Sequence, residues 1–358
     1  MWKILTYTTL AVKLKPYTSS YIIAIVENDM GERLIAQLDT NFSDVIAIGS
    51  KGSIRKTVGP SGEINKFILC DEEDELCITD RGLTVHKVGI VGSGVVGIQL
   101  AQFAAMQGFA TILKSRERMQ MNSAATKIEK RLLKYMSASE KDSIIRNITF
   151  TVDYDMLSDV DIVIDCVIED EIKKQNVFRQ LDNICSEHTI FATNTSSLSI
   201  NSIATALKNP ERFVGMHFFN PIEKMRLVEI IVGAKTSMET VKRVIQFAKQ
   251  LDKIPIEIKN SQGGIVNRLL FLMINEAGYM LENGISAEDI DKAMEMGANY
   301  PMGPCRLADF VGIDITYEII VNLSKVYDHF KGPAPIFTEL IKKGWLGKKT
   351  GRGFFEYH

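Results

Sequence analysis

The sequence predicts an α/β domain built on a doubly wound, mostly parallel sheet, followed by an all-α C-terminal domain and preceded by a small all-β domain. Three observations carry this expectation. A glycine fingerprint, "KVGIVGSGVVGIQLAQFAAMQG", joins a strand to a helix from Lys87 onward. Beyond it, unbroken apolar runs alternate with helical stretches as far as Ile258, the pattern of strands buried on both faces by helices. From Gly263 the apolar spacing becomes helical throughout.

Composition fits that picture. A chain of 358 residues with 46% hydrophobic and 24% charged residues suits two to three globular domains. A formal net charge of -2 provides no large field for nucleic acid or an anionic membrane, so a phosphate-bearing ligand must be met by local groups. The N-terminus lacks the apolar core of a signal peptide, and no run of about 18 apolar residues could span a bilayer. Cys70, Cys77, Cys166, Cys185 and Cys305 are scattered and free of C-x-x-C spacing. They read as reduced thiols of a cytoplasmic protein, with no metal site.

From residue 1 to about 85, short β-branched runs ("YIIAIVEND", "ERLIAQLD", "FSDVIAIGSKGSIRKTV") are separated by turn residues such as Asn28-Asp29 and Ser61-Gly62, which suits a small barrel or sandwich. The acidic run "DEEDE" at 71–75 and "TDRG" at 79–82 read as a solvated boundary. The predicted domains are therefore 1–85, 86–260 and 261–358. In the second, "KVGIVG", "ATILK", "ITFT", "DIVIDCV", "TIFAT", "FVGMHF" and "LVEIIVG" are the expected strands. In the third, "IVNRLLFLMINEAGYMLENG" carries a helical apolar stripe, and "SAEDIDKAMEMG" opens on a Ser cap and closes on Gly297.

Gly92, Gly94 and Gly97 form the G-x-G-x-x-G of a Rossmann dinucleotide site. The first permits the tight turn, the second admits a pyrophosphate, and the third lets helix pack on strand. Val95 and Val96 then begin the helix whose free N–H groups face that pyrophosphate. An acid is expected at the end of the next strand to bind the adenosine ribose. Here "TILKSR" ends instead in Ser115 and Arg116, with Lys114 and Arg118 beside them.

Downstream, "RFVGMHFFNPIEKMRLVEIIVG" sets His217 at a strand end and Glu229 on the neighbouring strand. An imidazole can move an alcohol proton while hydride leaves the carbon, and a carboxylate on its other nitrogen fixes the tautomer. In isolation such a pair is more often structural; the carboxyl edge of a nucleotide-binding sheet favours catalysis. "ATNTSSLSI" places Asn194 and Ser196 at another strand end, where they could meet nicotinamide or a substrate oxygen or merely cap a helix. Asn267 opens the helical region and could equally be a cap.

With "GSGVVG", "NTSSLSI", "GMHFFNP", "LVEII", "IVNRLL", "AEDIDKAM", "YPMGPCRLADFVGID" and "KKTGRGFFEY" taken together, residues 87–357 resemble the short-chain L-3-hydroxyacyl-CoA dehydrogenases of the 3-hydroxybutyryl-CoA type. The resemblance implies interconversion of 3-hydroxyacyl-CoA and 3-ketoacyl-CoA with a nicotinamide cofactor. His217 would be the general acid/base and Glu229 its partner. Ser196 and Asn267 would hold the reacting oxygen and thioester carbonyl, and Asn220 would contact acyl-CoA. Glu169 and Lys174 would lie along the cofactor, although either could be an ordinary solvated residue. The helical domain would close over acyl-CoA and form a homodimer, with "YPMGP" and "GRGF" mainly structural.

Departures matter too. Gln262 and Gly264 replace the family's usual Pro and Phe, and the stretch before "ITFT" is several residues short, so no CoA-binding lysine is carried over from it. Ser115 stands where the family's ribose-binding Asp belongs. Losing that charge and gaining Arg116 predicts NADP(H) over NAD(H). Residues 1–85 resemble the OB-fold half of small acyl-CoA-associated proteins found beside thiolases, which implies docking to a thiolase or another acyl-CoA enzyme, or else a packing role. Nine basic against twelve acidic residues there oppose a nucleic-acid groove. Two rival readings are a sugar-acid (gulonate-type) dehydrogenase of the same fold and a non-catalytic CoA-binding scaffold.

Overall fold

The computed structural model describes residues 2–14, 17–38, 51–59, 62–69 and 85–357. The run "FSDVIAIG", the acidic stretch at 71–75, "TDRG", Cys70 and Cys77 lie outside the described residues.

Five N-terminal strands, β1 (Trp2–Leu14), β2 (Tyr17–Asn28), β3 (Arg33–Leu38), β4 (Lys51–Gly59) and β5 (Gly62–Leu69), close a barrel in the order β1-β2-β3-β5-β4. Closure removes the exposed strand edges that a five-stranded sheet would otherwise offer. The pairing of β3 with β5 is parallel and the rest are antiparallel. Asn28 makes the predicted turn by accepting from the amides of Met30 and Glu32 at 3.0 and 2.9 Å. Strand alternation buries Val26 and Ala36 and exposes their neighbours Ile25 and Ile35. The sequence reading missed the first strand, which carries polar and apolar residues without clear turn signals.

The central sheet has eight strands: β6 (Lys87–Val91), β7 (Ala110–Lys114), β8 (Ile148–Thr151), β9 (Ile162–Asp165), β10 (Ile190–Thr193), β11 (Phe213–Phe218), β12 (Leu227–Val232) and β13 (Ile254–Lys259). Their order is β13-β12-β11-β10-β9-β6-β7-β8, and only the β11–β12 pair is antiparallel. One face is covered by α1 (Val95–Met106), α2 (Arg118–Leu132), α3 (Ala138–Arg146) and α6 (Met238–Gln250), whose Ile98, Ile128, Ile144 and Phe247 join one core. The other face is covered by α4 (Glu171–Ile184) and α5 (Ile200–Ala204), through Phe178, Leu181, Ile200 and Ile203. Helices on both faces explain why the strands read as continuous apolar runs.

The C-terminal helices are α7 (Val266–Glu282), α8 (Ala287–Gly297), α9 (Pro304–Val311), α10 (Ile313–Ser324) and α11 (Pro335–Lys342), packed around Phe271, Ile274, Ile313, Leu323 and Phe337. "YPMGP" and "GRGF" serve this domain. Asp291 accepts from the amides of Cys305 and Arg306 at 2.8 and 2.9 Å at the start of α9, and a side chain at Gly303 would collide with it. Asp309 accepts from the amides of Phe354 and Phe355, both at 2.9 Å, which ties the C-terminal segment to α9. No helix among the described residues is long and apolar enough to cross a membrane.

Candidate active site

Strand β6 pairs with β7 on one side and β9 on the other, so the chain leaves the centre of the sheet in both directions. Open α/β sheets form their ligand crevice at this switch point. The three glycines behave as their spacing predicts. Gly92 has φ +112°, and a Cβ there would meet the Cys166 carbonyl at 2.6 Å; a Cβ at Gly97 would lie 1.8 Å from the Gly92 carbonyl. A Cβ at Gly94 would meet nothing within 4 Å. The open space therefore lies above Gly94 and the amides of Val95 and Val96, where α1 begins without an acid in its first turn. That cradle fits the pyrophosphate of a dinucleotide.

His217 and Glu229 are directly opposed across β11 and β12. The imidazole Nδ1 lies 2.8 Å from Glu229 Oε2 and its Nε2 lies 3.3 Å from Ser196 Oγ. Glu229 is fully buried, and its other oxygen accepts from the amides of Ile265 and Val266 at 2.9 and 3.0 Å, at the start of α7. Burial pushes its pKa up, but the bonds from His217 and the two amides outweigh it and leave the carboxyl below its ordinary value. Gly264 is wedged beside this pair with φ +58°, and a Cβ there would stand 2.1 Å from Glu229 Oε2. The departure from the family's usual Phe thus sits against the Glu229 carboxylate.

The Ser196 loop is fastened by Glu169. Its Oε1 accepts from Thr195 Oγ1 at 2.6 Å, from the amides of Ser196 and Ser197 at 2.8 Å each, and from Ser197 Oγ at 3.1 Å. Glu169 is therefore no free helix-start acid. Asn194 Oδ1 accepts from the Phe218 amide at 2.8 Å and pins the end of β11. Lys174, expected along the cofactor or on the surface, is instead fully buried, with Nζ 2.8 Å from Asp165 Oδ2. Its position four residues into α4 turns it under the strand ends rather than into solvent.

Comparison with known proteins agrees with this geometry. Residues 87–261 match the NAD-binding domain of 3-hydroxyacyl-CoA dehydrogenase, and residues 263–357 match the C-terminal domain of the same enzyme family. The chain belongs to the 3-hydroxyacyl-CoA dehydrogenase family. It is 39% identical over 279 residues to 3-hydroxybutyryl-CoA dehydrogenase of Clostridioides difficile, covering 76% of this chain and 99% of that protein. Human mitochondrial hydroxyacyl-coenzyme A dehydrogenase is 36% identical, covering 77% of this chain and 93% of the human protein. The crystal structure of (S)-3-hydroxybutyryl-CoA dehydrogenase from Ralstonia eutropha superposes with a TM-score of 0.73 at 38% identity, covering 77% of this chain and all of that one.

In this member of the family, Asn267 stands in the first turn of α7, half-buried, and its amide makes no hydrogen bond among the described residues. Asn220, exposed beyond β11, accepts from Gln99 Nε2 at 2.8 Å, while Gln99 Oε1 accepts from the Ile222 amide at 2.9 Å. Gln99 and Asp165 went unrecognised in the sequence, because nothing in a helix interior or a strand end announces a partner so far away. At the adenosine end, Ser115 is fully buried and its hydroxyl has no hydrogen-bond partner among the described residues. Arg116 projects outward, its side chain 77% exposed and paired with Glu117 at 3.2 Å. Lys114 folds inward over the Tyr154 ring at 3.6 Å, and Arg118 is exposed.

Proposed function

We propose that the protein interconverts (S)-3-hydroxyacyl-CoA and 3-ketoacyl-CoA, with short chains such as 3-hydroxybutyryl-CoA favoured. The observation that carries this reading is His217 bridged between Glu229 and Ser196 at the carboxyl edge of a dinucleotide-binding sheet. A bound nicotinamide would supply or accept hydride at C3 of the acyl chain. Glu229 holds a proton on His217 Nδ1, which leaves Nε2 as the basic atom that takes the C3 hydroxyl proton during oxidation and returns it during reduction. The same carboxylate stabilises the imidazolium formed in between. Ser196 Oγ and the unengaged Asn267 amide provide hydrogen bonds for the C3 oxygen and the thioester carbonyl, and Asn220 meets the acyl-CoA farther out. Glu169 keeps the Ser196 loop in place.

Within the cofactor cleft, Gly92, Gly94, Val95, Val96 and Gly97 would hold the pyrophosphate. Asn194 borders the nicotinamide end. Replacement of an acid by Ser115 removes the carboxylate that would repel a 2'-phosphate from the end of β7, and the outward Arg116, whose exposed side chain pairs with Glu117 at 3.2 Å, could turn to bind that phosphate; both favour NADP(H) over NAD(H). Steady-state kinetics with a ladder of 3-ketoacyl-CoA thioesters, each with NADPH and NADH, tests both parts. Reduction of acetoacetyl-CoA far faster than oxidation of sugar acids is expected; the reverse would replace this reading with the gulonate-type one.

The division into 1–85, 86–260 and 261–358 accompanies this reading. Strand order β1-β2-β3-β5-β4 with its parallel β3–β5 pair supports an OB-like fold for the first part. We assign it a docking role toward a thiolase or another acyl-CoA enzyme; equal recovery of such partners by chains with and without residues 1–85 would remove that role. A homodimer through the helical domain is supported by exposed apolar side chains on α7, where Leu269 is 64% exposed and Ile265 and Leu272 line a groove of about 540 Å³. Sedimentation of a Leu269→Glu variant as a monomer is the expected outcome.

A further inference from the structure

Behind the Ser196 loop lies a buried ionic cluster that neither hydride nor proton transfer uses. Asp165 ends β9 and is fully buried. Its Oδ1 accepts from the Val167 amide at 2.9 Å, and its Oδ2 accepts from Lys174 Nζ and Thr193 Oγ1, both at 2.8 Å. Lys174 also donates to the Val167 carbonyl at 3.3 Å and stands 3.6 Å from Glu169 Oε2. The other oxygen of Glu169 takes the amides of Ser196 and Ser197. A continuous chain of contacts therefore runs from Asp165 to the backbone of the residue whose hydroxyl lies 3.3 Å from His217 Nε2.

Stability alone is a poor reason for such a cluster, because the desolvation of two buried charges offsets most of their attraction. Burial disfavours the Lys174 ammonium, but the carboxylates of Asp165 and Glu169 outweigh it and keep the group charged. An ammonium fixed from behind by Asp165 gives Glu169, itself part-exposed, a single orientation. We propose that Asp165 and Lys174 are positioning residues for the dehydrogenase reaction: they hold Glu169 so that it fixes Ser196 against His217. The inference rests on the reaction proposed above and extends it to the ion pair behind the Ser196 loop. It also gives Lys174 a task that its burial permits.

The test compares the native enzyme with Asp165→Asn, with Asp165→Asn/Lys174→Met, and with Glu169→Gln. The single Asp165 change strands a buried cation and lowers the thermal midpoint. The double change removes both charges at similar volume, which restores the midpoint, as replacement of buried ion pairs by apolar groups commonly does. If the cluster positions the loop, the stable double variant reduces acetoacetyl-CoA with kcat about 10- to 100-fold below native while its KM stays within about threefold, the pattern of an interaction realised in the transition state. Amide hydrogen exchange at Ser196 and Ser197, measured without substrate or cofactor, accelerates about tenfold or more as the Glu169 bonds open more often. Glu169→Gln, at a part-exposed position, removes the charge that faces Lys174 and accelerates the same amides. Native kcat and native exchange in the double variant, or native exchange in Glu169→Gln should the double variant not fold, overturn the proposal. Because exchange needs no turnover, a native enzyme that reduces no 3-ketoacyl-CoA overturns the assigned reaction and the catalytic role together, whereas native turnover with an unaffected double variant overturns the positioning role alone.

Discussion

Around His217 the polar atoms are paired inside the protein: Nδ1 with Glu229, Nε2 with Ser196, and the second oxygen of Glu229 with two amides of α7. At the opposite end of the cleft the Ser115 hydroxyl is buried without a partner among the described residues, and Arg116 reaches into solvent. In the function proposed above, the difference separates two tasks. Proton transfer gains from groups fixed before the substrate arrives, because no reorganisation is then needed during the reaction. Discrimination between two cofactors gains from groups left for the ligand to complete, since an unpaired site rewards only the cofactor that supplies the missing partner.

The largest way to break the comparison is to remove the prebuilt centre. His217→Ala is expected to lower kcat for acetoacetyl-CoA reduction by roughly 100- to 10,000-fold, the usual worth of a general acid/base. A variant turning over at near-native rate would exclude His217 as the proton-transfer group. A less direct disturbance comes from Gly264→Ala. The added methyl meets Glu229 Oε2 at 2.1 Å and the residue must keep φ +58°, so the carboxylate or the start of α7 has to move. A displacement of the dyad on the order of 1 Å corresponds to a loss of about 100-fold in kcat. A Gly264→Ala enzyme with unchanged kcat would show that Glu229 has room to yield without disturbing His217.

The adenosine end is sharpened by a change of ratio instead of a loss. The native enzyme is expected to favour NADPH over NADH in kcat/KM by about ten- to a hundredfold, the equivalent of one charged hydrogen bond. Ser115→Asp with Arg116→Ile should erase or invert that ratio while leaving the kcat of the preferred cofactor within about threefold, since the dyad is untouched. A native preference for NADH, or an unmoved ratio, would assign Arg116 to ordinary surface.

What could be read from the sequence follows the same division. The placement of Gly92, Gly94 and Gly97, and of the pair His217 and Glu229, is legible because it depends on local order: a strand-to-helix turn, and two residues twelve apart on adjacent strands joined by a short connection. The hold of Glu169 on the Ser196 loop is not legible, because its partners arrive from a loop beyond α4 and β10. The burial of Lys174, which excludes the surface alternative, is not legible because a lysine in a charged helix start looks exposed; only the register of α4 under β9 and β10 buries it. Gly264 looked like a mere departure from the family pattern, and its meaning appears only when Glu229 is placed beside it. Ser115 is legible as a residue without charge at the end of β7, but its full burial, which leaves Arg116 as the outward side chain, is not.

The smallest expected effect concerns pH and stability. Glu229 carries a pKa below its ordinary 4.5 in the folded protein, because bonds from His217, Val266 and Ile265 outweigh burial. Its unfolded counterpart therefore binds a proton at higher pH than the folded one, and the stability it contributes is complete above 4.5 and lost as pH falls through the folded value. Ser115 has no charge to titrate, so no matching contribution arises at the adenosine end. Chemical unfolding of the native enzyme and Glu229→Gln across the acid range should show a stability difference that is constant near neutrality and narrows only below 4.5. A difference that narrows at higher pH would mean that burial, and not the two amides and the imidazole, controls this carboxyl. The dyad would then enter neutral solution partly protonated, without the fixed negative charge that separates it from the cofactor-reading end.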